Sequence, residues 1–280
     1  MPSDNHLKLS IAVVCYNTPA AQLRALFDSL AASLETLRRY NSLATATVTL
    51  VDNSHQPVSV LRDLIAESTL GSPEQLVVRI LSGQGNIGFA RAHNLALENL
   101  DSDYHLVLNP DVVLDRNALV EGVSYLEQSR EAVLLSPYTE NESGQQQFLC
   151  KRYPSVFLFV LRGFFPGFLK SLFAKPLAKF EMRDLDNEQA TKNIPIASGA
   201  FMFCRSQSLL AIGGFNPAYF LYFEDFDLSL RISKIGKIVY LPSMKIVHHG
   251  GNSAAKGWRH IRMFLRSGIR FFNSHGWRLI

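Results

Sequence analysis

This 280-residue chain holds three cysteines, two tryptophans and no long apolar run. Cys15, Cys150 and Cys204 are odd in number and far apart, which gives neither a disulfide framework nor a zinc-ligand spacing and points to a reducing compartment. The longest wholly apolar run in the middle of the chain is the six residues Val156–Leu161. A membrane-spanning helix needs ~20 predominantly apolar residues, so none is expected. The first six residues lack both a basic and an apolar region, so no signal peptide is read. Acidic residues are missing altogether after Asp227, although that stretch holds ten of the 28 Lys and Arg. Such asymmetry points the C-terminus toward a polyanion, either a nucleic acid or an anionic membrane surface.

What is present is a globular, enzyme-sized composition, 47% hydrophobic and 11% aromatic, which excludes global disorder. Short β-branched runs at Leu9–Cys15, Thr47–Val51, Leu76–Leu81, His105–Leu108 and Ala132–Leu135 alternate with helix-period stretches at Ala20–Arg39, Val58–Glu67, Phe89–Leu100 and Asn117–Arg130. This alternation predicts an α/β fold with a mainly parallel sheet covered by helices on both faces. Further on, the pattern predicts a strand at Ala200–Cys204, helices at Ser206–Ile212 and Glu224–Ile235, and strands at Lys237–Leu241 and Lys245–Val247. The simplest division is one domain over 1–253, carrying an apolar and basic insertion at 151–185, followed by a basic amphipathic extension at 254–280.

Ligands of such sheets bind at the carboxyl ends of the strands. The residues expected there are Tyr16-Asn17-Thr18, Asp52-Asn53-Ser54, Gly83–Gly88 and Asn109-Pro110-Asp111. Gly83–Gly88 fits G-x-G-x-x-G with Asp103 twenty residues on, which is the case for a nicotinamide cofactor. Against it, the turn after the first strand has no glycine, and Asp103 reads better as the lead into the strand at 105. Asp111 is either an oxygen ligand for a divalent cation or a turn residue before the next helix. Glu224-Asp225-Phe226-Asp227 follows five apolar residues, Tyr219–Phe223. Desolvation there would raise a carboxyl toward the range of a general base, whereas Asp227 and Arg231, four apart, read as a structural ion pair. His248 closes a strand before two glycines and suits a metal or diphosphate contact.

Two segments combine basic and large apolar residues. In Trp258–Phe272, Arg259, Arg262, Arg266 and Arg270 share a helical face beside Trp258, Ile261, Leu265, Ile269 and Phe272. The segment Phe157–Phe180 interleaves Phe157, Phe159, Phe164, Phe165, Phe168 and Phe173 with Arg162, Lys170, Lys175 and Lys179. Both fit an interfacial membrane helix, or packing onto the domain with ordinary solvated charges. No RRM or KH pattern supports nucleic-acid binding.

Eight motifs, in order, resemble family 2 glycosyltransferases of the GT-A fold, especially a bacterial rhamnosyltransferase-like branch. They are Ala12–Asn17, Val51–Ser54, Gly85–Asn94, Leu108–Asp111, Ser198–Ala200, Gly213–Phe215, Glu224–Leu228 and His248–Ser253. The resemblance implies a GT-A, Rossmann-like sheet and inverting transfer from a nucleotide-diphospho-sugar, with dTDP-L-rhamnose favoured over a UDP-sugar. Tyr16, Asn17, Asp52, Asn53, Asn86, Gly88, Arg91, Asn109, Asp111, Ser198 and Gly199 would then line the donor site. Asp111 and His248 would hold Mg²⁺ or Mn²⁺, with Asn109 at the first position of the D-x-D motif leaving fewer charged ligands. Asp225 matches the catalytic base, with Glu224 beside it. The acceptor implied is a glycan or polyprenyl-diphosphate-linked sugar at the cytoplasmic face of the inner membrane, with the enzyme peripheral on that anionic surface and no nucleic acid involved. A nicotinamide oxidoreductase and a non-catalytic sugar- or membrane-binding module are the competing readings.

Overall fold

The computed structural model describes residues 7–40, 43–54, 58–68, 70, 76–164, 172–250 and 257–279. The strands are β1 (Leu7–Cys15), β2 (Leu43–Asp52), β3 (Leu76–Leu81), β4 (Tyr104–Leu108), β5 (Val112–Leu114), β6 (Ala132–Glu140), β7 (Gln146–Gln147), β8 (Cys150–Lys151), β9 (Thr191–Lys192), β10 (Ile196–Ala197), β11 (Phe201–Arg205) and β12 (Lys237–His248). The helices are α1 (Ala20–Tyr40), α2 (Val58–Ala66), α3 (Phe89–Leu97), α4 (Ala118–Gln128), α5 (Val156–Phe164), α6 (Ala174–Phe180), α7 (Ser206–Ala211), α8 (Glu224–Ile232) and α9 (Gly257–His275).

The main sheet runs β3-β2-β1-β4-β11-β6-β12-β5, with β7 paired to β6 and β9 to β12. Its first four strands are all parallel, as the strand–helix alternation requires. β11 then runs antiparallel between β4 and β6, while β6 and β12 are parallel to each other. Leu9, Ile11 and Val13 of β1 face the core holding α1, α2 and α4, and Ala12 and Val14 face α3. Both faces are thus covered, which is why Ile11–Cys15 of β1 reads as an unbroken apolar run.

Three boundaries differ from the sequence reading. β12 is one strand instead of two, with a register break between Leu241 and Lys245 where Pro242, having no N–H, cannot join the ladder. α3 ends at Leu97, ahead of Asn99 at φ 57°, and α8 ends at Ile232. Met1–His6, the Gly251-Asn252-Ser253 part of the last motif, and residues 165–171 with their Phe165, Phe168 and Lys170 lie outside the described residues.

The C-terminal segment is seated on the domain. Phe271 and Phe272 of α9 are buried in an aromatic block with Phe159, Phe180, Tyr219 and Phe223. Val156 N–H donates to Arg278 O at 2.8 Å and Phe157 N–H to Leu279 O at 3.1 Å, so the tail also closes the start of α5. Asp227, buried on α8, accepts from Arg231 Nε at 2.7 Å and pairs with His275 Nε2 at 2.8 Å. The Asp227–Arg231 pair is therefore structural, as its spacing indicates, and the Asp227–His275 contact bolts α9 to α8.

Candidate active site

The carboxyl ends of the parallel strands bring the first motifs together. Asp52, at the end of β2, accepts from Ser54 N–H at 2.9 Å. It lines a pocket of about 310 Å³ with Cys15, Asn17, Thr18, Pro19, Ser54 and apolar residues of α1 and α2. Asn17 takes a left-handed conformation, φ 49°, at the turn into α1. Tyr16 is exposed at the same edge. Asn53 reaches across to Gly88, its Nδ2 donating to the Gly88 carbonyl at 3.3 Å, and Asn86 Oδ1 accepts from Gly88 N–H at 3.1 Å. Gln84, which the sequence reading did not single out, ties these loops by donating to Asp52 O at 2.9 Å. Arg91 Nε donates to Pro217 O at 3.0 Å, and Asn94 exchanges two hydrogen bonds with Phe215. Helix α3 is thereby stitched to the loop that leads into α8.

The glycine loop and Asp103 lie at opposite edges of the sheet. Gly83 follows the carboxyl end of β3, whereas Asp103 precedes the amino end of β4, where its Oδ2 accepts from Lys8 N–H at 2.8 Å. An acid placed there cannot meet a ribose held over Gly83–Gly88.

Asp111 and His248 meet across the β5–β12 pair. His248 Nε2 stands 3.4 Å from Asp111 Oδ1, which is buried without a hydrogen bond. Asp111 is not the turn residue of the following helix, because Asp115 takes that part by accepting from Asn117 N–H at 2.8 Å. A Cβ on Gly250 would come within 2.6 Å of His248 Nε2 and 2.8 Å of Asp111 Oδ2, so the glycine leaves open the space between them. An orphaned carboxylate oxygen, an imidazole nitrogen and open space fit a divalent cation that draws its remaining ligands from diphosphate and water. Among the described residues no cluster of three or more His, Cys, Asp or Glu side chains suits a metal. Asn109, whose N–H donates to Ala200 O at 2.9 Å, connects this edge to the next group.

Glu224 and Asp225 open helix α8. Tyr222 and Phe223 precede them in left-handed conformations, φ 71° and 66°, which cost ~1–2 kcal/mol per residue for L side chains. The aromatic block holds this turn: Phe223 packs 4.9 Å from Phe159 and 5.4 Å from Phe271, centroid to centroid. Helix α9 adds Ser267 Oγ donating to Leu221 O at 2.8 Å and His260 Nδ1 at 2.9 Å from the Tyr222 hydroxyl. Asp225 is half-buried, accepting at Oδ2 from Gly199 N–H at 3.0 Å and at Oδ1 from Phe226 N–H at 2.9 Å. Ser198 and Gly199 thus meet Asp225 as two motifs of one site, and a Cβ on Gly199 would touch both Asp225 and the Phe89 ring at 3.3 Å. Burial raises the Asp225 carboxyl, opposed by those amides and by the charge of Lys151. Glu224, fully enclosed and beside Asp225, is raised well above its usual range by burial and then by that neighbouring charge. Both carboxyls are raised, Glu224 the more, so Asp225, the reachable one, is the more readily ionised of the two. Lys151 had no sequence signal: β8 pairs with β10, Lys151 opposite Ile196, and its charge is thereby felt by Asp225.

A mixed sheet of this order, two acidic groups at its carboxyl edge and the eight ordered motifs define one class of protein. The chain belongs to the glycosyl transferase family 2, whose profile matches residues 10–211. It is 26% identical over 174 residues to Rhamnosyltransferase WbbL of Escherichia coli K12, covering 59% of this chain and 62% of that one. It is 27% identical over 222 residues to an N-acetylglucosaminyl-diphospho-decaprenol L-rhamnosyltransferase of Mycobacterium tuberculosis, covering 72% and 70%. The fold is that of GalNAc-T7 solved with UDP, GalNAc and Mn²⁺, at TM-score 0.63 and 15% identity over 96% of this chain and 48% of that one. It is also that of the mannosyltransferase PcManGT of Pyrobaculum calidifontis with GDP-Man and Mn²⁺, at TM-score 0.59 and 17% identity over 96% and 66%.

Proposed function

We propose that this chain is an inverting glycosyltransferase moving L-rhamnose from dTDP-L-rhamnose onto a polyprenyl-diphosphate-linked or growing cell-surface glycan. The observation that carries the reading is the reachable Asp225 carboxylate, aimed by the Gly199 and Phe226 amides beside the enclosed and more strongly raised Glu224. The names of the relatives support the sugar and the lipid-linked acceptor. Asp225 takes the proton of the acceptor hydroxyl as its oxygen bonds to the anomeric carbon, and the bond from that carbon to the diphosphate breaks on the opposite face. Glu224, enclosed beside Asp225, holds its proton to higher pH and leaves Asp225 the more readily ionised carboxylate. The pocket at Asp52 and Asn17 takes the nucleoside, and Asn86, Gly88, Arg91, Asn109, Ser198 and Gly199 line the path to the sugar. Asp111 and His248 would hold a Mg²⁺ or Mn²⁺ ion, which when bound supplies positive charge to the departing diphosphate.

Among the described residues no helix is long and apolar enough to cross a membrane. Peripheral attachment to an anionic cytoplasmic leaflet is supported by α9. Trp258, Leu265 and Ile269 are 74%, 46% and 53% exposed and lie in a stripe alongside Arg262 and Arg266.

The test is thermal unfolding with dTDP, UDP, GDP and NAD⁺, each with and without Mg²⁺ or Mn²⁺, followed by product analysis with the favoured donor. Ligand at about 100 times its dissociation constant adds ~2.7 kcal/mol of stability. A metal-dependent shift with dTDP is expected. A shift with UDP alone would discard rhamnose and keep the class, whereas a shift with NAD⁺ alone would overturn the assignment.

A further inference from the structure

His248 is one of two side chains assigned above to the metal, and its usefulness there depends on which ring nitrogen carries the proton. That choice is made by Gln147, on β7, a residue far from every motif of the sequence. The amide of Gln147 has its orientation fixed by its surroundings. Nε2 faces two backbone carbonyls, His248 O at 3.1 Å and Gly250 O at 3.4 Å, so this end is the donor. The remaining atom, Oε1, lies 3.0 Å from His248 Nδ1 and can only accept. Nδ1 must therefore bear a hydrogen, which in the neutral ring leaves Nε2 a bare lone pair. That lone pair stands 3.4 Å from Asp111 Oδ1, a second acceptor with no hydrogen bond of its own. Two acceptors face one another across a space kept open by Gly250, an arrangement that calls for a cation between them.

We propose that Gln147 is a positioning residue that commits His248 to the Nδ1–H tautomer, so that Nε2 is presented as an electron-pair donor beside Asp111. The assignment rests on the metal role proposed for this pair. The same amide holds the carbonyls of His248 and Gly250, so it also sets the path of the chain over the site. Without Gln147, the nearest acceptor for the ring is Asp111 Oδ1. The proton then moves to Nε2, where it occupies the position of the cation. Outer partners that fix a ligating histidine typically change metal affinity 10–100-fold when removed.

The experiment reads the tautomer in the metal-free protein and the metal separately. Ring nitrogen-15 shifts of the full chain at pH 8.5, with His248 assigned by its loss in His248→Ala, are expected to show Nδ1–H and a bare Nε2. In Gln147→Leu the ring is expected to shift toward Nε2–H, and Mn²⁺ titrated in the presence of dTDP or UDP to bind about 10–100-fold more weakly. Gln147→Glu keeps an acceptor oxygen against Nδ1 and is expected to retain the Nδ1–H form, which keeps the assignment testable should the leucine variant fold poorly. Nε2–H in the parent or the glutamate variant, or an unchanged ring in Gln147→Leu, overturns the role of Gln147. A parent protein with the expected tautomer that binds no Mn²⁺ with either nucleotide overturns the metal reading while leaving the tautomer assignment standing.

Discussion

Gly88 packs against Phe220 in the turn before Glu224 and Asp225, and Gly88→Ala separates that contact from ordinary glycine chemistry. Its backbone lies at φ 86°, ψ 170°, a region open essentially to glycine alone, and an L residue held there costs roughly 1–3 kcal/mol. The added Cβ would come 2.4 Å from the Phe220 carbonyl oxygen and 2.8 Å from its ring. That carbonyl accepts from Phe89 N–H at 2.8 Å, so pushing it away also breaks a hydrogen bond worth about 1 kcal/mol. With the overpacking that remains, the sum is ~4 kcal/mol. At roughly 2–4 °C per kcal/mol for a domain of this size, the midpoint should fall by about 10 °C. Gly83 is the internal control: φ is 94°, but nothing lies within 4 Å of its Cβ position. Gly83→Ala should therefore show backbone strain alone, about 1–2 kcal/mol. Calorimetric scans of both variants, with dTDP titrations alongside, test this. Gly88→Ala should also weaken nucleotide binding, since its carbonyl accepts from Asn53. Equal midpoints for the two variants would refute the argument that Phe220 is packed against this glycine.

Asp225→Asn should lower transfer by roughly 10²–10⁴-fold while nucleotide affinity stays within a few-fold; turnover equal to the parent removes Asp225 as base. Glu224 holds its proton to a higher pH folded than unfolded, so the parent loses stability as pH rises from the ordinary carboxyl range through the folded value. Glu224→Gln escapes that loss, and its melting advantage should be smallest near pH 5 and larger at pH 8.5; a pH-independent difference would count against the buried acid. Asp227→Ala leaves Arg231 and His275 without their shared partner, a loss of about 3 kcal/mol for a buried pair. It should lower the midpoint and loosen α9, read as faster amide exchange across 257–275. Arg262→Glu with Arg266→Glu, and separately Leu265→Ser with Ile269→Ser, should reduce sedimentation with phosphatidylglycerol vesicles and leave the melting midpoint near that of the parent. Undiminished sedimentation of both double variants removes α9 as the attachment surface. Point substitutions are used because removing α9 would strip Phe271 and Phe272 from the aromatic block.

The alternation of strand and helix periods determined the parallel half of the sheet, because parallel strands buried on both faces must be written as apolar runs with helices between them. It also determined which residues stand at the carboxyl edge, since strand polarity follows from the crossovers. Asp52, Asp111, Glu224, Asp225 and His248 were all legible on that basis and from the ordered motifs. Periodicity determines which residues share a helical face, but not which face meets the protein. In α9 the sequence grouped Trp258, Ile261, Leu265, Ile269 and Phe272, whereas packing splits them. Phe272 turns into the core with Phe271 and Gly268, and Trp258, Leu265 and Ile269 remain outside beside the arginines.

Only the tertiary structure decided the partners separated by long stretches of chain. Gln147 and His248 are 101 residues apart, Gly199 and Asp225 are 26, and Asp227 and His275 are 48. No local propensity records such contacts, because they form only when strands far apart in the chain are brought into neighbouring register. The same holds for acidity. The sequence placed Glu224 and Asp225 next to each other, and the burial that raises both carboxyls belongs to the tertiary packing around them.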